Sequence, residues 1–182
     1  MRRVSYFAYG TTQRGFTHHM RLADVLGDPV ARVRTEAAHA VVVPRRAACS
    51  NPGCQYVHRM AVLVPGVEPL RAEGDLFLVS DDAAALLDRL ETGADGFSGP
   101  YVRERVAVSA TDGAATYAAI AYVARDPARW RELVDRGEAE ALTAYPRHLA
   151  TDAALKACCV RAPGHDAPHD VVDPLAAAGS GR

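Results

Sequence analysis

Tyr6-Phe7-Ala8-Tyr9-Gly10-Thr11-Thr12-Gln13-Arg14-Gly15 is an apolar run that stops abruptly at a glycine and two threonines. Val4 to Tyr9 reads as a buried strand of β-branched and aromatic residues, and Gly10 to Thr17 as the loop that follows. Such a turn leaves backbone N–H groups unpaired, where an anion or a carbonyl oxygen can sit. Its counterpart lies far downstream, in Leu87-Asp88-Arg89-Leu90-Glu91, where a glutamate follows the apolar face of a helix directly. A carboxyl emerging from such a face is a candidate proton carrier. The pair points to an enzyme that rearranges an acyl group by proton transfer, with neither a metal nor an organic cofactor.

Outward from that stretch, His18 to Leu26 suits a short helix closed by Gly27-Asp28-Pro29, and one strand is expected within Ala31 to Val43. Pro44 to Val57 holds Ser50-Asn51-Pro52-Gly53 and reads as an exposed loop. Met60 to Val64 and Glu73 to Val79 read as strands. Ser80-Asp81-Asp82 caps a helix over Ala83 to Leu90, with Leu86, Leu87 and Leu90 on one face. After a glycine-rich loop come a strand from Tyr101 to Ala110, a turn at Asp112-Gly113 and a returning strand from Ala115 to Val123. Helices are expected at Pro127 to Arg136, Glu138 to Ala144 and Leu149 to Ala157. Strands and helices at unequal intervals do not make a doubly wound sheet; an α+β fold, a small mixed β-barrel flanked by helices, is expected. Residues 1–157 form the domain, and 158–182, rich in Pro, Gly, Ala and Asp, read as a poorly ordered tail.

The 182 residues suffice for one domain with a real core. Twenty-one basic residues against 22 acidic ones leave no field to attract nucleic acid or an anionic membrane, so a small-molecule partner is expected. No apolar run approaches the roughly 20 residues of a bilayer span, which makes a cytoplasmic protein the expectation. There, Cys49, Cys54, Cys158 and Cys159 read as free thiols. Oligomeric state is not legible.

The Tyr9-Gly10-Thr11-Thr12 turn, with Arg14-Gly15 and His19 after it, resembles the opening of the gamma-glutamylcyclotransferase superfamily, in its gamma-glutamylamine (AIG2-like) branch. Three further stretches match in order: Glu73-Gly74-Asp75-Leu76-Phe77, Leu87-Asp88-Arg89-Leu90-Glu91 and Tyr101-Val102-Arg103-Glu104-Arg105-Val106. The resemblance spans about residues 4 to 149 and implies a compact mixed β-barrel with helices outside. Thr12 stands where the family has Asn or Leu, and Asp75 where it has Glu. The resemblance implies release of 5-oxoproline and a free amine from a gamma-glutamyl amide. Within that activity two roles stand: general turnover, or deprotection of a gamma-glutamylated intermediate in specialised metabolism. Glu91 is then the catalytic acid and base; Gly10, Thr11 and Thr12 offer amides to the substrate, and Tyr9 and Tyr101 close its pocket.

Plainer readings compete. A glutamate at a helix end is most often a solvated surface group, and Tyr101 can be strand packing. Two other classes are a non-catalytic ligand-binding member of the fold and an interaction module stabilised by zinc on Cys49, Cys54 and His58. The last lacks the paired Cys-x2-Cys knuckles of strong zinc motifs, and no metal site is assigned.

Overall fold

Strand β1 (Arg3–Ala8) carries the opening apolar run and is the hub of the sheet in the computed structural model, which describes residues 3–45, 61–93 and 100–147. It pairs antiparallel with β5 (Glu73–Ser80), from Arg3↔Ser80 to Ala8↔Asp75, and parallel with β7 (Thr116–Ala124) at Tyr6↔Ile120. Strand β2 (Ala31–Thr35) joins β5 to β6 (Tyr101–Ala110), and β6 pairs antiparallel with β7 along its length. The order β1-β5-β2-β6-β7 therefore closes on itself through β1 and β7, making a small ring of strands. From the free part of β7, strands β4 (Val62–Pro65), β3 (His39–Pro44) and β8 (Ala139–Leu142) extend the sheet as a flap.

Alternation along the strands produces two cores. Phe7, Val33, Leu76, Val108, Ala119 and Ala121 come from all the strands of the ring and fill its interior. Their neighbours Tyr6, Ala8, Phe77, Val79, Ile120 and Tyr122 face outward, beneath the helices. There they meet Leu22 and Leu26, from α1 (Thr17–Arg21) and α2 (Ala23–Leu26) and their junction, and Ala83, Ala84 and Leu87 of α3 (Asp81–Thr92). Helix α4 (Pro127–Asp135) adds Trp130 and Leu133 at the edge of the same core. Each large apolar side chain so buried contributes on the order of 1.5–3 kcal/mol.

Gly74 sets how closely β1 approaches β5. A Cβ there would stand 2.1 Å from the carbonyl oxygen of Ala8 and 2.7 Å from Phe7 Cε2, so the end of β1 lies where only glycine fits.

The expected strands β1, β5, β6 and β7 and the helices α3 and α4 form within a residue or two of their expected bounds. Three expectations are corrected. Ala31 to Val43 holds two strands, because Glu36-Ala37-Ala38 turns the chain from the ring into the flap. His18 to Leu26 splits into two helices at Leu22. Glu138 to Ala144 contains a strand, β8, paired antiparallel with β3 from Val41↔Leu142 to Pro44↔Ala139. The helix expected at Leu149 to Ala157, the tail and most of the Pro44 to Val57 loop lie outside the described residues. No helix among the described residues is long and apolar enough to cross a membrane.

Candidate active site

Helix α3 begins at Ser80, whose hydroxyl accepts the Ala83 amide at 3.2 Å, and Asp81 and Asp82 stabilise its positive end. From there Ala84, Leu87, Asp88 and Glu91 recur at i, i+3, i+4 and i+7, which places them on one face. Ala84 and Leu87 are buried, and Asp88 and Glu91 continue that face to the helix end while keeping some accessible surface. Gly93, with φ 88°, ends the helix.

The apolar helix-to-sheet contact leads Glu91 in among four tyrosines. Its charge is felt at the hydroxyls of Tyr6, Tyr9, Tyr101 and Tyr122, all of which burial already holds above the ordinary phenol range. Desolvation in turn pushes the Glu91 carboxyl up from 4.5 to about 7. Every one of the four hydroxyls is engaged elsewhere. Tyr9 donates to the carbonyl of Tyr122, and Tyr101 to that of Ala61 at 3.0 Å. Tyr6 shares a hydrogen bond with Thr12 Oγ1 at 2.9 Å, and Tyr122 donates to Asp88 Oδ1 at 2.9 Å. Among the described residues none hydrogen-bonds the Glu91 carboxyl.

The turn after β1 is built just as specifically. Gln13 folds back, its amide donating to the Gly10 carbonyl at 3.1 Å and its Nε2 to the carbonyl of Tyr9 at 2.7 Å. Gln13 Oε1 accepts from Arg32 Nη1 at 2.6 Å, and the same guanidinium lies 3.3 Å from Asp75. Asp75 Oδ2 also accepts the Arg14 amide at 2.7 Å. One buried carboxylate on β5 thus secures both the far side of the turn and the arginine that holds Gln13. The amides of Gly10, Thr11 and Thr12 donate to no acceptor among the described residues. They are three successive donors on a fixed loop.

Glu91, Tyr9, Thr12 and Tyr101 are brought together, Thr12 through Tyr6. Gly10 joins them by packing: a Cβ on it would lie 3.3 Å from that of Ala61, the residue whose carbonyl holds Tyr101. Thr11 uses its hydroxyl on His18 Nδ1 at 2.7 Å. Tyr9 and Tyr101 are buried with their hydroxyls taken, so ring surface is what they present.

Residues that the sequence reading did not select are Tyr6, Gln13, Arg32, Asp75, Asp88, Tyr122 and Tyr145. Tyr145 packs against Phe16 with ring centroids 6.1 Å apart and the rings tilted by 53°, and lies near enough to Tyr101 to affect its hydroxyl. For Asp88 a signal existed, since three residues before Glu91 is the same helical face. Tyr6 and Gln13 bond within the opening segment itself, and Arg32, Asp75, Tyr122 and Tyr145 are joined to the site by long-range pairing. Cys49, Cys54 and His58 lie outside the described residues, and no group of three or more metal-capable side chains occurs among those described.

A crystal structure of an AIG2-like protein from Mus musculus superposes with a TM-score of 0.59 at 18% identity, over 80% of this chain and 90% of that one. That likeness is one of fold. A structure titled gamma-glutamyl cyclotransferase matches at 16% identity and TM-score 0.48, over 68% of this chain and 67% of the other. No curated protein sequence matches the chain. The family described as gamma-glutamyl cyclotransferase, AIG2-like, matches residues 6–141. With three quarters of its length accounted for in this way, the chain belongs to that family.

Proposed function

We propose that the protein is a cyclotransferase that releases 5-oxoproline and a free amine from a gamma-glutamyl amide, with Glu91 as its proton carrier. The observation that carries the reading is the Glu91 carboxyl: desolvated, without a hydrogen-bond partner among the described residues, and set among tyrosines that adjoin the turn after β1. A structural carboxylate in such a position is ordinarily paired, because burying an unpaired charge is costly. An unpaired one with a pKa near neutrality suits general acid and base work.

In the reaction, ionised Glu91 takes a proton from the substrate's α-ammonium. The freed amine attacks the side-chain carbonyl carbon, closing the five-membered ring and placing negative charge on the oxygen. The carbon–nitrogen bond to the departing amine then breaks as that nitrogen receives a proton from Glu91. A second proton follows the same route from the ring nitrogen. Two protons leave the attacking nitrogen and two reach the leaving one, so the carboxyl ends as it began and the balance closes without another reactant. At a pKa of about 7 both forms of Glu91 are populated at neutral pH, which serves both halves of the exchange.

The attack is intramolecular, so holding the substrate in its folded form supplies much of the rate, on the order of 7 kcal/mol or more. The Gly10, Thr11 and Thr12 amides are the donors suited to the α-carboxylate or the developing oxyanion. A well-placed donor at an oxyanion is worth about 3 kcal/mol. The rings of Tyr9 and Tyr101 exclude water. The two biological roles, general turnover and deprotection of an amine intermediate, differ in the leaving amine alone.

The test is an assay for 5-oxoproline with a panel of gamma-glutamyl amines of differing size and charge. Turnover of at least one, abolished in Glu91→Gln, is the expected result. Binding of such amides without any 5-oxoproline release would instead identify a non-catalytic ligand-binding protein.

A further inference from the structure

The carboxyl of Glu91 is held by no hydrogen bond among the described residues, so its position is inherited from the last turn of α3. What fixes that turn is the question. Asp88 stands three residues before Glu91 on the same face. Its Oδ1 accepts the Tyr122 hydroxyl at 2.9 Å and its Oδ2 accepts Arg103 Nη1 at 2.7 Å. Tyr122 and Arg103 are directly opposite one another on β7 and β6. A single carboxylate on the helix is thus gripped by a cross-strand pair, one donor to each oxygen. The Asp88 carbonyl accepts the Thr92 hydroxyl at 2.7 Å, closing the turn that contains Glu91.

We infer that the Arg103–Tyr122 pair, acting through Asp88, clamps the rotation and depth of the last turn of α3 and thereby positions Glu91. The inference rests on the reading of Glu91 as the proton carrier; Arg103, Tyr122 and Asp88 are positioning residues that do not touch substrate.

Stability alone is a poor reason for this arrangement. An acidic residue near a helix C-terminus opposes the dipole. Its ion pair with Arg103, with side chains 40% and 32% exposed, belongs to a class that contributes little to stability. What two donors from adjacent strands do supply is geometry. One hydrogen bond leaves the helix free to roll about it; two, from fixed points in a β-ladder, do not. The other groups facing Glu91, the hydroxyls of Tyr6 and Tyr9 from β1 and its turn and of Tyr101 from β6, are engaged with Thr12 and with backbone carbonyls. None of them takes over if the clamp opens.

The test uses the full chain and the variants Tyr122→Phe and Arg103→Gln, with Asp88→Asn as the conservative change that keeps the acceptor for Tyr122. Steady-state kinetics on a gamma-glutamyl amide are combined with an NMR titration of the Glu91 side-chain carboxyl carbon. In both Tyr122→Phe and Arg103→Gln, kcat is expected to fall about tenfold with KM within about twofold, as a misplaced catalytic group requires. The Glu91 midpoint is expected to move from about 7 towards 4.5 as the carboxyl swings into water. Asp88→Asn is expected to lie between wild type and Tyr122→Phe. Folded variants with a lowered melting temperature but unchanged kcat and unchanged Glu91 midpoint would overturn the inference, since the clamp would then serve stability alone. Arg103→Gln, a half-exposed surface change, keeps the test decisive if Tyr122→Phe folds poorly. If the wild-type protein released no 5-oxoproline from any amide, the functional reading would fail, and the NMR midpoints alone would still decide the clamp.

Discussion

Replacing Glu91 by glutamine is expected to cut turnover at least about a hundredfold and to raise the protein's stability relative to the wild type as pH climbs from 5 to 8. Burial raises this carboxyl from 4.5 to about 7 in the folded protein. Below pH 4.5 it is protonated in both folded and unfolded chains and has no effect on the balance between them. Between 4.5 and 7 the folded chain binds more protons than the unfolded one, so stability falls as pH rises, and above 7 the full cost of the buried charge is present. A displacement of that size corresponds to about 3 kcal/mol. Glu91 keeps some accessible surface, and screening by water brings the expected cost down to about 1–3 kcal/mol. Glutamine carries no charge, and whatever its amide costs is the same at every pH. The quantity to measure is the unfolding free energy of variant minus wild type, from urea titrations at pH 5, 6, 7 and 8. It is expected to rise by about 1–3 kcal/mol across that range while 5-oxoproline release drops about 10²- to 10⁴-fold. In the wild type, kcat/KM should climb with pH through a midpoint near 7 as the base ionises. A difference curve that stays flat from pH 5 to 8 would mean that Glu91 is an ordinary solvated glutamate and not the proton carrier.

Other substitutions test the frame around that carboxyl. Gly74→Ala forces a Cβ against the Ala8 carbonyl, a backbone atom that cannot turn aside; a loss of about 3 kcal/mol or more is expected in urea unfolding. Gly10→Val presses two extra methyls towards Ala61, where even one Cβ is tight at 3.3 Å; KM should rise sharply or activity vanish, and unchanged kinetics would remove the turn from the site. Asp75→Ala deprives the Arg14 amide of its acceptor and Arg32 of one of its acceptors. It should cost about 1–3 kcal/mol and raise KM more than it lowers kcat, read from unfolding curves and steady-state kinetics together.

Four strands of the ring, β1, β5, β6 and β7, were legible because their apolar residues are β-branched or aromatic and end in turn residues, as at Tyr9-Gly10 and Asp112-Gly113. Helix α3 was legible from its serine cap and leucine spacing. Strand β8 was not: Glu138-Ala139-Glu140-Ala141-Leu142 is made of strong helix formers, and pairing with β3 overrides that preference. The break between β2 and β3 was hidden by alanines, which serve either conformation. At the site, the Gly10 turn stood out because it ends an apolar run, and Glu91 because it follows the apolar face of a helix. The network that holds them did not. Gln13 with Arg32 and Asp75, or Asp88 with Arg103 and Tyr122, are partners only once the sheet is closed, and each is an unremarkable polar residue in its own segment.

Closure of the ring by β1 and β7 also has a bearing on how the chain acquires its site. Tyr6 meets Ile120 and Arg3 meets Ser80, so the first strand finds no lasting neighbour in the residues made soon after it. Such a high contact order predicts slow assembly, on a scale of milliseconds to seconds. A nascent chain on the ribosome would expose its first aromatic strand until β5 and β7 had emerged, and during that interval it would be a natural client for a chaperone.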